Sequence, residues 1–175
     1  MTLTEIVGRR RSVRKFLDRA VEQERLRSII DAALTAPSSK NTRSTRFIVV
    51  RDRETLVRMA DMRDFGSAFL AEVPAAVVVL GDTDATDLWV DNAAISATIL
   101  QLAAEEQGLA SCWVHVNGRP RRREAPDGEQ AMDYLRTLLP VPDSWRALCV
   151  VAVGYPESRP KPHSPREDDD KVLWL

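Results

Sequence analysis

The sequence predicts a single α+β domain, and three observations carry that prediction. Its 175 residues are 44% hydrophobic and 29% charged, enough apolar material for one sizeable core and too much for wholesale disorder. Helix-like and strand-like segments are interleaved along the chain without a strict βαβ repeat. No internal repeat or boundary-like linker divides it, so residues 1–175 read as one domain whose last stretch, 155–175, is an extended arm.

The elements follow in order. Thr2 and Glu5 form a candidate capping box that starts a helix over residues 2–9. From Glu22 onward, Leu26, Ile29, Ile30, Ala33 and Leu34 recur on one helical face. Ala36-Pro37 stops that helix, because proline disfavours the α conformation in the residue before it. Phe47 to Val50 reads as a buried strand, and Asp52 as the N-cap of a helix through Met59. Ala75 to Leu80 is a second buried strand, and Leu88 to Gln107 a long helix closed by Gly108. Ser111 to Val116 is a third strand, followed by a polar loop from Arg119 to Asp127. Met132, Leu135, Leu138 and Leu139 mark an amphipathic helix, and Leu148 to Val153 a fourth strand. The strands are expected to form a central mixed sheet flanked by helices.

Two segments fit a monomer poorly. The long helix is apolar nearly all round and rich in alanine, at Ala93, Ala94, Ala97, Ala103 and Ala104; a helix without a wet face must be covered on all sides. A second copy of the chain is the expected cover. The tail combines prolines and an acidic run at 167–170 with Val172, Leu173, Trp174 and Leu175. Those apolar residues need burial, which wrapping a partner subunit would provide.

Composition removes several function classes. A net charge of −1 and a pI near 6.2 give no global attraction to nucleic acid or an anionic membrane. The opening residues hold no apolar signal core, and the most apolar stretch, Ala93 to Ala104, is too short to span a bilayer; the expected location is cytoplasmic. Cys112 and Cys149 lie inside apolar strand-like runs and read as buried thiols, not as a disulfide framework. The sequence contains no GxG, no HExxH and no GxSxG, which removes Rossmann, P-loop, zincin and serine-hydrolase readings. No metal site is expected, and any difficult chemistry would fall to an organic cofactor.

Three polar segments could build a site. Arg9 to Phe16 concentrates Arg10, Arg11, Ser12 and Arg14, and forked guanidinium donors beside a hydroxyl suit a phosphate. A solvated basic surface or a nucleic-acid arm would look the same. Pro37, Ser38, Ser39 and Asn41 form a rigid loop whose donors and acceptors suit the polar edge of a planar heterocycle, or simply a turn rich in capping residues. In the tail, Lys161 and His163 alternate with prolines, so an extended backbone points them to one side; a solvated linker would read the same way.

Taken in order, RRSVRKF, APSSKN, DNAAISATILQLAAEEQGLASCWV and VVAVGYPESRPKPH resemble the FMN-dependent nitroreductase family over residues 4–172. The likeness is to short members with a SCWV strand and a GYP…KPPH-like tail. The resemblance implies a nitroreductase-like homodimer, joined through its long helices with exchange of C-terminal arms and with FMN at the interface. It implies that Arg10, Arg11 and Ser12 hold the FMN phosphate, with Lys161 and His163 completing the grip. Arg14 would lie toward the ribityl chain and N1/C2 edge as an electrostatic stabiliser. Pro37, Ser38, Ser39 and Asn41 would reach the isoalloxazine from the partner, and Ser111, Cys112 and Trp113 would bring backbone groups to the ring. It further implies hydride transfer from NADH or NADPH, through flavin N5, to a nitroaromatic, quinone or similar small-molecule acceptor in a ping-pong cycle. Two rival readings are a non-catalytic FMN-binding redox sensor and a flavin enzyme with a dedicated substrate, such as a dehalogenase. The chain departs from the family at Ser44-Thr45-Arg46, where many members continue Pro-Trp. The basic loop Arg119-Pro-Arg-Arg-Arg123 either meets the phosphates of NADPH or is solvated surface.

Overall fold

The computed structural model describes residues 1–163 and 169–175. The chain runs α1 (Leu3–Arg9), α2 (Gln23–Leu34), β1 (Thr45–Val50), α3 (Arg53–Met59), β2 (Ala75–Asp82), α4 (Trp89–Glu106), β3 (Ala110–His115), α5 (Ala131–Leu138) and β4 (Trp145–Gly154). The predicted caps form. The Thr2 hydroxyl accepts from the Glu5 N–H at 3.3 Å while the Glu5 carboxylate accepts from the Thr2 N–H at 2.7 Å. Asp52 accepts from the Thr55 N–H at 2.8 Å. Past α4, the Gly108 N–H reaches the Glu105 carbonyl and the Leu109 N–H the Ala104 carbonyl. With Gly108 at φ +76°, this is a Schellman ending that favours glycine.

The sheet order is β1-β2-β4-β3, and all three pairings are antiparallel. This corrects the mixed sheet expected from sequence. The succession β2-α4-β3 resembles a parallel crossover unit, and β2 and β3 do share a direction. However, β4 inserts between them and pairs antiparallel with both. The parallel contact involving an edge is an isolated bridge from Ser12 to Ser111.

Alternation along the central strands sorts side chains into two cores. Ala75, Val77 and Val79 of β2 meet Leu26, Ile29 and Ala33 of α2 and Ala93, Ala97 and Leu100 of α4. Ala76, Val78 and Leu80 meet Leu56 and Met59 of α3 and Leu135 of α5 on the opposite face. Covered on both faces, these strands read as continuous apolar runs.

The face of α4 that packs inward also differs from expectation. Ala93, Ala97 and Ala104 have no exposed surface; they let the helix approach its own sheet and α2, and are not offered to a partner. The outward stripe is Ile95, Thr98, Ile99 and Leu102, with Ile95 40% exposed. The arm likewise begins differently. Through His163 it lies on its own chain: Leu17 N–H donates to the Tyr155 carbonyl, Glu157 N–H to Lys15, and His163 N–H to Gly8. Of the acidic run, Glu167 and Asp168 lie outside the described residues. Leu173, Trp174 and Leu175 are exposed, Trp174 to 89%. Among the described residues no helix is long and apolar enough to cross a membrane.

Candidate functional site

The basic segment is laid against the edge strand β3. Ser12 bridges Ser111, and the Val13 N–H donates to the Ser111 carbonyl at 3.0 Å. Val13 and Phe16 turn inward, leaving Ser12 and Arg14 exposed. Phe16 is seated by a close approach at the end of β4: a Cβ on Gly154 would stand 2.9 Å from the Phe16 ring and 2.6 Å from Pro74. The Arg14 and Arg10 charges and the Ser12 hydroxyl act on Cys112. Burial pushes the Cys112 thiol above its ordinary value, against the pull of the Arg14 and Arg10 charges and a hydrogen bond with Ser12. The thiol is therefore neutral near pH 7. Cys149, deeper in the sheet, is raised further by burial.

The tail joins the same cluster. The Arg11 guanidinium donates to the Lys161 carbonyl at 2.6 Å, and the His163–Gly8 backbone bond places His163 next to α1. A cleft of about 370 Å³ is lined by Arg9, Arg11, Val13, Glu105, Arg159 and Lys161. Two of these residues were missed in the sequence. Glu105, 4% exposed near the C-terminal end of α4, pairs with Arg159 at 2.9 Å and Arg9 at 3.4 Å. Arg159 also donates to the Gly108 carbonyl. One carboxylate thus ties the arm and the end of α1 to the long helix. Among the described residues, Arg10, Arg14 and Lys161 have no carboxylate partner. Such unmatched charge beside the Ser12 hydroxyl fits a phosphate dianion.

Next along β3, the Trp113 indole N–H donates to His115 Nδ1 at 3.3 Å, and the two rings stack with centroids 6.2 Å apart. Burial, then the Arg119 and Arg63 charges, hold the His115 pKa below its ordinary value, consistent with an imidazole that accepts.

The second group of residues stands elsewhere. Pro37, Ser38, Ser39 and Asn41 form a loop with a short 3-10 turn at Ser39–Asn41. Lys40, Asn41 and Arg43 all adopt left-handed backbone, at φ 49°, 55° and 48°. The loop is held by Asn92, a buried residue of α4 that sequence reading passed over. Its side-chain oxygen accepts from the Ser39 N–H at 2.9 Å, and its amide donates to Ser44 at 2.9 Å and Thr42 at 3.3 Å. The signal was available, since an asparagine in an otherwise apolar helix must satisfy its amide. Neighbouring bonds fix the segment Ser44-Thr45-Arg46 that follows. Ser44 is fully buried against Asn92, Thr45 bonds Ser96 at 3.1 Å, and Arg46 pairs with Asp82 at 3.2 Å over the Trp145 ring.

One chain does not bring these two groups together. The loop enters β1 and the basic segment lies outside β3, at opposite edges of the sheet. Four strand spacings of ~4.8 Å separate them by roughly 19 Å. They also sit toward opposite ends of α4, at Asn92 and Glu105. Arg10, Arg11, Ser12, Arg14, Ser111, Cys112, Trp113, Lys161 and His163 belong to one half, and Pro37, Ser38, Ser39 and Asn41 to the other.

Comparison with known proteins bears on what these halves serve. The family model described as "Nitroreductase family" matches residues 7–87 and 60–155. The fold superposes on an FMN-dependent nitroreductase from Clostridium difficile R20291 with a TM-score of 0.88 at 37% identity, covering 97% of this chain and 96% of that one. A Thermus thermophilus protein named NADH dehydrogenase is 37% identical over 95% of this chain and 92% of its own length. An Archaeoglobus fulgidus protein named for NADH dehydrogenase/NAD(P)H nitroreductase is 35% identical over 87% of this chain and 84% of its own. With family matches spanning residues 7–155 and the α+β topology in common, this chain belongs to the nitroreductase family.

Proposed function

We propose that the chain is an FMN-dependent oxidoreductase, working as a homodimer, that moves hydride from NADH or NADPH to a small-molecule acceptor of the nitroaromatic or quinone kind. The observation that carries this reading is the unmatched positive cluster of Arg10, Arg14 and Lys161 beside β3, with Ser12 among them. Family membership and the FMN-dependent structural neighbour support it.

Bound FMN would supply the redox chemistry, taking hydride at N5 and releasing it to the acceptor in a ping-pong cycle. The chain's own contribution is grip and orientation. Arg10, Arg11 and Ser12, with Lys161 and His163, would hold the phosphate. Each charge-assisted hydrogen bond is worth ~1.5–3 kcal/mol, so a few of them supply a large part of the ~8 kcal/mol of micromolar binding. Arg14, one step further along β3, would place a cation where negative charge gathers at the N1/C2 edge. Ser111, Cys112 and Trp113 form the floor, and the neutral Cys112 thiol adds no competing charge there.

A second subunit completes the site. Pro37, Ser38, Ser39 and Asn41 cannot reach the same ring from within one chain, whereas a two-fold axis across the outer face of α4 sets its Asn92 end against the partner's Glu105 end. The stripe of Ile95, Ile99 and Leu102 is the apolar surface for that contact. Leu173 and Trp174 would then be buried on the partner.

The test is a fluorescence titration of flavin-free protein with FMN, followed by NAD(P)H oxidation with a quinone acceptor. Micromolar or tighter uptake is expected. The Arg10→Ala/Ser12→Ala variant should bind at least about tenfold more weakly, one lost charge-assisted bond, with an unchanged circular dichroism spectrum. A chain that gains no flavin absorbance, or a double variant with unaltered affinity, would overturn the assignment.

A further inference from the structure

Beyond the basic half-site, a second positive patch lies where the loop after α3 meets the loop after β3. The two are zipped together: Asp64 N–H donates to the Arg121 carbonyl at 3.0 Å, and Arg123 N–H to the Asp64 carboxylate at 2.8 Å. Five arginines gather here, in two kinds. Arg121 and Arg122 are matched, both pairing with Asp61, and Arg121 also with Glu129 at 2.8 Å. Arg63, Arg119 and Arg123 are not. Arg63 donates to the His115 carbonyl at 3.0 Å, and among the described residues none of the three forms an ion pair.

Their charges are close enough to be felt. Burial lowers the Arg63 pKa, Arg119 and Arg123 lower it further, and only Asp64 opposes them. Three guanidiniums facing one carboxylate leave a surplus of two positive charges, held together by the fold against their mutual repulsion. An aromatic ring adjoins them. Phe65 is 64% exposed and carries the Arg123 guanidinium 4.6 Å from its ring centroid. The patch is continuous with the proposed ring floor, because Arg63 is bonded to His115, and His115 stacks on Trp113.

A fixed surplus of guanidinium charge recognises a phosphate, and an exposed aromatic face beside it recognises a purine. Resting on the oxidoreductase reading above, we infer that Arg63, Arg119, Arg123 and Phe65 receive the adenosine 2′-phosphate end of NADPH, so that the chain selects NADPH over NADH. Phosphate oxygens accept from the three arginines while the adenine lies on the Phe65 face turned away from Arg123. NADH leaves the arginines facing one another unrelieved.

The test has two arms on the full-length protein. In the first, kcat/KM is measured with NADPH and NADH for the flavin-loaded wild type and for Arg119→Ala/Arg123→Ala; both side chains are exposed. The wild-type ratio should favour NADPH and fall by about tenfold to a hundredfold in the variant, the span of one charge-assisted bond. In the second, calorimetry compares 2′,5′-ADP, 5′-AMP and inorganic phosphate, which needs no flavin. The wild type should bind 2′,5′-ADP at least about tenfold more tightly than either other probe, and the variant should lose that margin. Equal affinity for 2′,5′-ADP and 5′-AMP, phosphate binding as tight as 2′,5′-ADP, or an unaltered coenzyme ratio would each overturn the inference. Failure to take up FMN would instead sink the oxidoreductase reading, and the nucleotide arm reads independently of it.

Discussion

Glu105→Gln is the sharpest perturbation of the proposed cofactor half-site, because it alters no shape and touches no residue proposed to hold the phosphate. The carboxylate is 4% exposed and pairs with Arg159 at 2.9 Å and Arg9 at 3.4 Å. Both arginines keep substantial exposure, 38% and 45% of their side chains, so each can be re-solvated when the charge is lost. The cost is therefore the difference between hydrogen bonding to a charged and to a neutral acceptor, about 1–1.5 kcal/mol, and not the larger penalty of stranding a buried ion. For a chain of this size that corresponds to a Tm lower by roughly 2–6 °C. The same charge anchors Arg159 four residues before His163 and Arg9 beside Arg10, so FMN affinity should fall about three- to tenfold along with stability. Thermal unfolding and FMN fluorescence titration, run at one protein concentration because assembly shifts apparent stability, provide both readings. A double-mutant cycle with Arg159→Ala should give a coupling of at least about 0.5 kcal/mol. Lost stability with unchanged flavin affinity, or a coupling near zero, would refute the idea that Glu105 positions the phosphate grip through the arm.

Three further outcomes follow from the geometry. Ile95→Glu places a charge on the outward stripe of α4 and should yield a folded monomer with weakened FMN binding; a persistent dimer in sedimentation at micromolar concentration would exclude that face. Asn92→Ala leaves the Ser39 N–H and the buried Ser44 hydroxyl without their partner, and should cost about 2–3 kcal/mol in denaturant unfolding; less than ~1 kcal/mol would show the loop to be held by other means. The Tyr155 hydroxyl, then a backbone bond and Arg19, hold the Glu22 carboxyl down to about 2. Because that lies below the ordinary value of ~4.3, the contribution is complete above ~4.3 and lost as pH falls through about 2. An NMR titration of Glu22 should show the low midpoint, and Tyr155→Phe should raise it; an ordinary midpoint in the wild type would disprove the contact.

Which features the sequence revealed depended on how local their physics was. The capping box at Thr2 and Glu5, the Asp52 cap and the Gly108 ending lie within a few residues of the groups they satisfy, and all form where expected. Strand partners are not local. Nothing in the β2-α4-β3 succession announces that a later strand will insert between its two strands, so the mixed sheet was a reasonable expectation and is incorrect. Helix faces failed for a related reason: alanine suits close approach to any surface, so Ala93, Ala97 and Ala104 could not tell their own sheet from a partner. Ile95 and Leu102, too large to be left wet cheaply, carried the better signal. In the candidate site, the basic and PSSKN segments stand out in the sequence because several chemistry-bearing residues adjoin. Glu105, Arg159 and Asn92 act singly across long separations, and single residues raise no motif.

The left-handed residues before β1 have a consequence for how the subunits of the proposed dimer would meet. Lys40, Asn41 and Arg43 each hold a backbone shape that a side-chain-bearing residue enters at ~1–2 kcal/mol, and Asn92 secures it from inside the same chain. The ordering cost is thus met during folding, before any second copy arrives. Association then resembles a key cut in advance, with little entropy left to lose at the loop. Glycine at Lys40 or Arg43 would relieve the strain yet widen the range of shapes the loop samples, exchanging readiness for ease.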